Sequence, residues 1–224
     1  MTKPLLGQVA LVTGASRGLG AATAVALAEQ GATVVLLART VGGLEETDDK
    51  VRAVGGEAIL MPVDLSEPAK LVSLGPVLFE RFGRLDIFIA NAAELGQLSA
   101  LPHADPKHWD KVLAVNLTAN QRLAATLDPL LRKAPKGQAI FITDGAALGH
   151  KAYWSAYGAT KAALEQMAAA WALEAVPPLK ISVFDPGPMS TKLRSKAFPG
   201  EKPGTQPMPE LAAKRLAEFI LQEK

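Results

Sequence analysis

Cysteine is absent from the 224 residues of the chain, which excludes disulfides and every metal site built on thiolates. A chain without cysteine also fits a reducing compartment. Two of the three histidines, His103 and His108, have no acid or cysteine around them at metal-ligand spacing. The sequence therefore predicts no metal site.

Long hydrophobic runs are missing as well. Purely apolar runs, such as residues 34–38, are far shorter than the roughly 20 residues of a membrane-spanning helix. The N-terminal segment MTKPLLGQVALVTGAS lacks the extended apolar core of a signal peptide, because Thr13 and Gly14 interrupt it early. We therefore expect a cytoplasmic protein without a membrane partner.

A large excess of charge of either sign is also absent. The chain has 24 Lys and Arg against 22 Asp and Glu, and no block of basic residues stands out. Nucleic acid and anionic membranes are therefore not expected as partners. Hydrophobic residues make up 49% of the chain and no linker or repeat divides it, which predicts a single folded domain over residues 1–224.

What the sequence does contain is a regular alternation of short apolar runs and longer helical stretches. Six runs are apolar on both faces, as parallel strands covered by helices should be: residues 8–13, 33–38, 58–63, 85–90, 138–143 and 180–185. Helices are predicted at residues 20–30, 41–54, 67–82, 106–133, 157–175 and 209–222, with a surface loop at 194–209. The pattern predicts an α/β fold, a single doubly wound (Rossmann) parallel sheet of about six strands flanked by helices.

A glycine-rich loop, VTGASRGLG, joins the first strand to the first helix. It places Gly14, Gly18 and Gly20 where helix N–H groups have no partner within the helix. Glycine lets the backbone turn sharply and approach an anion closely. The order of strand, loop and helix predicts a pyrophosphate site rather than a simple chain reversal.

The end of the second strand should select the dinucleotide. NAD sites usually carry an acid there, whereas this chain has Arg39, and the glycine loop adds Arg17. Guanidinium groups pair well with phosphate, so NADP is favoured over NAD. Asp64, at the end of the third strand, either accepts a hydrogen bond from the adenine amino group or caps a helix beginning near Ser66; the two roles are compatible.

Tyr157 and Lys161 are spaced i, i+4 on a predicted helix and so project from one face. A free phenol has a pKa near 10, about three units too high for acid/base work at neutral pH. An adjacent ammonium favours the phenolate and lowers that pKa. The pair is therefore a candidate acid/base centre.

Together these features resemble those of the short-chain dehydrogenase/reductase family over nearly the whole chain. The matching motifs, in order, are TGASRGLG, Asp64-Leu65, ANAAELG with Asn91, VNLTAN with Asn116, YGATK, and DPGPMST at 185–191. In ANAAELG, Ala93 replaces the family's usual glycine.

The resemblance implies hydride transfer between a nicotinamide and a carbonyl/alcohol pair. Tyr157 would give or take the substrate proton, Lys161 would lower its pKa and hold the ribose, and Asn116 would position a water. It also implies cofactor contacts from Gly14, Ser16, Arg17, Gly18, Leu19, Gly20, Leu65, Asn91, Ala92, Pro186, Gly187, Met189 and Thr191.

A second position also departs from the family pattern. Thirteen residues before the tyrosine the family has a serine that donates to the substrate oxygen, and this chain has Asp144. An ionised carboxylate cannot donate, raises the phenol pKa, and repels a developing oxyanion by about 4 kcal/mol at 4 Å with an effective dielectric near 20. The neighbouring Thr143 should point away, because side chains alternate along a strand.

Four interpretations of Asp144 stay open. It is a neutral donor replacing serine, an ionised acid in an enzyme of reduced activity, part of a protein that binds cofactor without turnover, or a residue moved out of the pocket by a loop offset. We favour an NADP-dependent oxidoreductase acting on a small or acyl-type carbonyl. The alternative is a catalytically weak regulatory or partner-binding protein of the same fold.

The substrate and the assembly are less defined. The residues expected along the substrate pocket are mostly apolar and suit an uncharged substrate: Glu94, Leu95, Leu148, His150, Trp154 and Met189. The short C-terminal region makes the family's seventh strand doubtful. We expect a homodimer or homotetramer that pairs through the helices at 106–133 and 157–175.

Overall fold

Six parallel strands form one sheet within residues 3–222, the part of the chain that the computed structural model describes. Their bounds are β1 (Val9–Thr13), β2 (Thr33–Ala38), β3 (Glu57–Pro62), β4 (Ile87–Ala90), β5 (Gln138–Ile142) and β6 (Lys180–Phe184). The spatial order is β3-β2-β1-β4-β5-β6. This confirms the predicted fold class, a doubly wound parallel sheet.

Helices cover both faces of the sheet. They are α1 (Gly18–Glu29), α2 (Val41–Ala53), α3 (Pro68–Val72), α4 (Leu74–Phe82), α5 (Pro106–Leu113), α6 (Ala119–Leu131), α7 (Gly145–Leu148), α8 (Ser155–Glu174), α9 (Lys192–Ala197) and α10 (Pro209–Gln222). No helix among residues 3–222 has the length and apolar character needed to cross a membrane.

Alternation along each strand sends successive side chains into two separate cores. On β1, Val12 packs into the core beneath α1, α2 and α10, while Leu11 packs into the core beneath α4, α6 and α8. Phe88 on β4 and Phe141 on β5 meet edge to face in the second core, with ring centroids 6.1 Å apart. The strands are apolar on both faces because both faces are buried.

Two of the predicted long helices are interrupted. The stretch at 67–82 divides into α3 and α4 at Ser73. The stretch at 106–133 is α5, a five-residue π-helical turn at Ala114–Thr118, and α6. A π-helical turn forms hydrogen bonds between residues five apart, and the apolar spacing of the sequence did not predict it.

The C-terminal part of the chain differs from the predicted loop in one detail. Within residues 194–209, which were expected to be a surface loop, the first part belongs to the short helix α9. No seventh strand exists among residues 3–222, so β6 lies at the edge of the sheet. The last helix, α10, packs against α1.

The strand order reverses between β1 and β4, which lie side by side but are far apart in the chain. The connections on either side of this point leave the sheet in opposite directions. In open α/β sheets the resulting crevice at the carboxyl ends of the strands is where ligands bind. A ligand is therefore expected to bind at the loops after Thr13 and Ala90.

Candidate active site

The glycine loop fits tightly against the turn that follows β4. Gly14 has a φ of +67°, and a Cβ there would lie 2.9 Å from the Asn91 amide nitrogen. A Cβ on Gly20 would overlap the Gly14 carbonyl oxygen. Side chains at these positions would push the loop away from the turn, so glycine keeps the two backbones in close contact.

Thr13 holds this arrangement together, and the sequence motifs did not single it out. Its hydroxyl donates to the Ile89 carbonyl at 3.2 Å and accepts from the backbone N–H groups of Asn91 at 2.9 Å and Ala92 at 3.0 Å. The Asn91 side chain donates to the Thr13 carbonyl at 2.8 Å. The only available signal was a polar residue at the end of an apolar strand.

The N-terminus of α1 opens onto the crevice without a side-chain cap. Its first N–H groups are therefore available to an anion. Arg17 and Arg39 are exposed along the same crevice, and neither forms a hydrogen bond or an ion pair with any of residues 3–222. This combination suits a ligand that carries several phosphates.

Asp64 organises the turn after β3. Its Oδ1 accepts from the Ser66 backbone N–H at 2.9 Å and from the Ser66 hydroxyl at 2.8 Å. The backbone bond is the main cause that lowers the pKa of Asp64. The N-cap residue of α3 is Glu67, so Asp64 shapes the preceding turn and does not cap that helix itself.

Tyr157 and Lys161 lie deep in the crevice, each only 3% exposed. The Lys161 Nζ donates to the Ile142 carbonyl at 2.7 Å and lies 5.7 Å from the centroid of the Tyr157 ring. Burial lowers the pKa of Lys161 to about 8, although nearby carboxylates act in the opposite direction.

Asp144 lies in the pocket beside the tyrosine, so the loop-offset interpretation is wrong. Its Oδ1 caps α7 by accepting from the backbone N–H groups of Ala146 at 3.0 Å and Ala147 at 3.2 Å. Its Oδ2 accepts from the Tyr157 hydroxyl at 3.2 Å. Thr143 points away, as expected, and its hydroxyl donates to Glu165.

Burial, together with the Asp144 carboxylate, reverses the expected effect on the pKa of Tyr157. We expected Lys161 to lower the pKa of the phenol. Burial instead raises the pKa of Tyr157 above its ordinary value of 10.0, and the charge and hydrogen bond of Asp144 raise it further. A second acid, Asp185, acts in the same direction.

Asn116 lies in the π-helical turn and is 1% exposed. Its Oδ1 accepts from the Glu94 N–H at 2.7 Å, and its Nδ2 donates to the Glu94 carbonyl at 2.9 Å and to the Thr160 hydroxyl at 3.1 Å. The side chain therefore ties the loop after β4 to α8. It stands behind the crevice and does not line it.

The crevice is one continuous cleft of about 1190 Å³. It brings together nearly all the residues expected to contact cofactor: Gly14, Ser16, Arg17, Gly18, Leu19, Arg39, Asp64, Leu65, Asn91, Ala92, Tyr157, Lys161, Pro186, Gly187, Met189 and Thr191. Gly20 lies behind the loop and does not line the cleft. Of the expected substrate residues, Leu148 and His150 are not part of the lining either.

One wall of the cleft was not anticipated. Leu193, Ala197 and Phe198, from α9 and the residue after it, pack against a small apolar cluster that contains Leu95 and Trp154. Apolar residues four apart in a lysine-rich stretch were the available signal, and the surrounding Pro and Gly residues obscured it.

Comparison with known proteins agrees with this geometry. Residues 8–202 match the family model of the short chain dehydrogenases. A 3-oxoacyl-[acyl-carrier-protein] reductase of rhamnolipid biosynthesis from Pseudomonas aeruginosa is 35% identical over 197 residues, which are 84% of this chain and 75% of that protein.

Solved structures show the same relationship. A short chain dehydrogenase structure from Pseudomonas syringae superposes with a TM-score of 0.93 at 32% identity, covering 98% of this chain and 91% of that one. One from Escherichia coli CFT073, complexed with NADPH, has a TM-score of 0.91 at 30% identity, covering 98% and 93%. With the family model matching most of its length, the chain belongs to the short-chain dehydrogenase/reductase family.

Proposed function

We propose that this protein is an NADP-dependent oxidoreductase that transfers a hydride between NADPH and a small or acyl-type carbonyl/alcohol substrate. The main observation in support is the buried pair of Tyr157 and Lys161, which lies at the deep end of a cleft that begins at a glycine loop. The NADPH bound by one structural relative and the acyl substrate in the name of another support the cofactor and the substrate class.

The residues present fit a dinucleotide with a 2′-phosphate. The glycine loop and the uncapped N-terminus of α1 would hold the pyrophosphate, and the unpaired guanidinium of Arg39 would hold the 2′-phosphate. Asn91, Ala92 and Thr191 would border the ribose and the nicotinamide. When bound, the cofactor supplies the hydride.

The chain's own residues would manage the proton. Tyr157 would donate to the carbonyl oxygen during reduction, and Lys161, held by the Ile142 carbonyl, would supply positive charge beside it. The bonds made by Asn116 suggest a positioning role, because they fix the loop after β4 against the helix that carries both groups. Asn116 would also position a water that connects Lys161 to solvent.

Asp144 should make carbonyl reduction slow. Both of its oxygens accept hydrogen bonds, from two backbone N–H groups and the Tyr157 hydroxyl, which is the pattern of an ionised carboxylate. Such a charge holds the tyrosine proton and opposes an oxyanion. This favours the ionised interpretation over a neutral donor that replaces serine.

The test measures NADPH oxidation with ketones, aldehydes and 3-oxoacyl thioesters. Asp144→Ser should raise kcat/KM for carbonyl reduction by about tenfold to a thousandfold, since it removes the repulsion and restores a donor. Tyr157→Phe should abolish activity, and both variants should bind NADPH as the wild type does. An unchanged or lower rate in Asp144→Ser would instead identify a neutral donor.

The competing function is a protein that binds cofactor without efficient turnover. NADPH binding cannot separate the two functions, but activity that depends on Tyr157 can. The matched P. aeruginosa relative is named a reductase, which favours the enzyme. Loss of all turnover in wild type and Asp144→Ser, with NADPH still bound, would favour the competitor.

We also propose that the chain works as a single domain that pairs through α6 and α8. Leu173 on α8 is 91% exposed and lies beside exposed alanines at 169 and 170, which would permit close helix approach. Light scattering after gel filtration should show a dimer or tetramer, and Leu173→Glu should reduce it to a monomer.

A further inference from the structure

The deep end of the cleft carries two carboxylates that sequence motifs alone did not bring together. Asp144 faces the Tyr157 hydroxyl, as described above. Asp185, after β6, accepts from the Gly145 N–H at 3.2 Å and from the Gly187 N–H at 2.8 Å. Both acids line the cleft. Both act electrostatically on Tyr157 and on Lys161, so they share one small region.

No lysine or arginine of residues 3–222 forms an ion pair with either acid. Arg194 is the nearby guanidinium that feels the charge of Asp144, but Glu201 holds it at 2.9 Å and 2.7 Å. Lys151 lies over the rings of Trp154 and Phe198, 5.0 Å from each centroid. The Lys161 ammonium is bonded to a backbone carbonyl. Lys161 contributes one positive charge there, so the two carboxylates leave the reacting end of the cleft with a net negative charge.

We propose that the preferred substrate of this site carries a protonated carbon–nitrogen double bond, as in a small cyclic imine. This inference rests on the proposed hydride transfer. An iminium N–H would donate to the Asp144 carboxylate at the place where the family's serine would donate to a carbonyl oxygen. The charge that repels an oxyanion attracts this group. The same acid therefore disfavours one substrate class and favours the other.

The electron count is complete for such a substrate. Bound NADPH would supply the hydride, whose electron pair would form the new C–H bond at the iminium carbon. The π pair of the C=N bond moves onto nitrogen, which keeps its proton, and the product is a neutral amine with NADP⁺ as the oxidised partner. No proton has to leave Tyr157 in this step. The raised pKa of the Tyr157 phenol hinders carbonyl reduction but does not hinder iminium reduction.

The walls around the acids suit a small apolar ring. Leu95 and Trp154 are buried in one apolar cluster, and Phe198 packs against it. Trp154 and Phe198 lie with ring centroids 5.5 Å apart. Lys151 lies over both rings and Arg194 lies 3.8 Å from the Phe198 centroid, so these rings offer apolar contact and not a further cation site. A compact iminium would thus meet acids at its nitrogen and hydrocarbon around its ring.

Binding without turnover tests the charge preference directly. Isothermal titration of the NADP⁺-loaded protein with 2-methylpyrrolidine, a cation at neutral pH, is compared with cyclopentanol, a neutral ring of similar size. The wild type should bind the amine at least about tenfold more tightly. Asp144→Asn, which keeps an oxygen to cap α7, should remove that preference. Asp110→Asn, the same charge change on the exposed face of α5, should preserve it.

Turnover gives the second measurement. NADPH oxidation with 2-methyl-1-pyrroline should exceed that with cyclopentanone by at least about tenfold in kcat/KM in the wild type, and Asp144→Ser should reverse the order. Equal binding of amine and alcohol, or a preference that survives Asp144→Asn, would overturn the proposal. If the ketone is reduced well and the imine is not, only the iminium inference fails. If neither is reduced while NADPH binds, the proposed hydride transfer fails with it.

Discussion

Lys161 is a buried amine whose protonation depends on folding. Its pKa in the folded chain is about 8, against an ordinary value of 10.5. Between these two pH values the unfolded chain holds a proton that the folded chain has lost, so stability increases with pH. Tyr157 acts at higher pH: its raised pKa means that stability falls once the unfolded phenol begins to ionise near 10.0.

We therefore expect the free energy of unfolding to rise from pH 8 to pH 10 by up to about 3 kcal/mol and to fall above pH 10. Urea unfolding at a series of pH values measures this. Lys161→Met should remove the rise, because methionine is similar in length and uncharged. Tyr157→Phe should keep the rise and remove part of the fall. A Lys161→Met curve parallel to that of the wild type would contradict the assignment.

At the level of single residues, the sequence predicted most of the positions but not the charges. The spacing of Tyr157 and Lys161 placed both on one helix face, and their motif placed Asp144 near them. The direction of the phenol pKa could not be predicted, because it depends on burial and on the 3.2 Å contact between two side chains. Thr13 escaped notice because its role consists of hydrogen bonds to residues far along the chain.

At the scale of the element, the glycine loop and the first turn of α1 form the proposed pyrophosphate site. Its close contact with the turn after β4 leaves no space for a Cβ at Gly20. Gly42, in the first turn of α2, has no atom within 4 Å of a Cβ position and has an ordinary helical φ. The two glycines thus offer a matched pair of substitutions.

Gly20→Ala should weaken NADPH binding by at least about tenfold and lower stability by about 1–3 kcal/mol, because the loop must move away from Asn91. Gly42→Ala should leave binding unchanged and raise stability by up to about 1 kcal/mol, since alanine favours helix. Fluorescence titration with NADPH and urea unfolding measure both effects. Equal behaviour of the two variants would show that the loop tolerates a side chain.

Helix boundaries were the least predictable elements. Apolar periodicity runs unbroken through residues 106–133, yet a π-helical turn at Ala114–Thr118 interrupts the α-helix. That turn carries Asn116, whose bonds to Glu94 and Thr160 stabilise it. The interruption depends on partners in other elements, and hydrophobic spacing carries no information about such partners.

Over the whole molecule, one sheet joins two cores, and this shared sheet should make unfolding cooperative. Leu216 on α10 is fully buried in the core beneath α1. Trp171 on α8 lies against the core on the opposite face, where its ring meets Phe141 at 6.0 Å. A change in the first core should therefore be detected by a fluorophore in the second.

Leu216→Ala should lower the free energy of unfolding by about 2–5 kcal/mol, because a fully buried side chain leaves a cavity. Leu211→Ala, on the same helix at 57% exposure, should change it by less than about 0.5 kcal/mol. Circular dichroism and tryptophan fluorescence should give one shared urea midpoint for each variant. Two separated midpoints would show that the cores unfold independently.

The overall architecture was easier to predict than the single residues or the helix boundaries. Strands that are apolar on both faces and alternate with helices permit few arrangements. The position of β6 in the sheet could not be predicted from the apolar runs, because strand order depends on long-range pairing. The wall contributed by α9 likewise followed from tertiary contact alone.

The Asp144 side chain both starts a short helix and meets the reacting group. Aspartate, asparagine, serine and threonine all begin helices well, so the local backbone tolerates any of them at this position. Their charges differ, because an ionised aspartate is negative whereas asparagine, serine and threonine are neutral. Under the proposed role of Asp144, a change of one or two nucleotides at this codon would alter the preferred substrate while the start of α7 is kept.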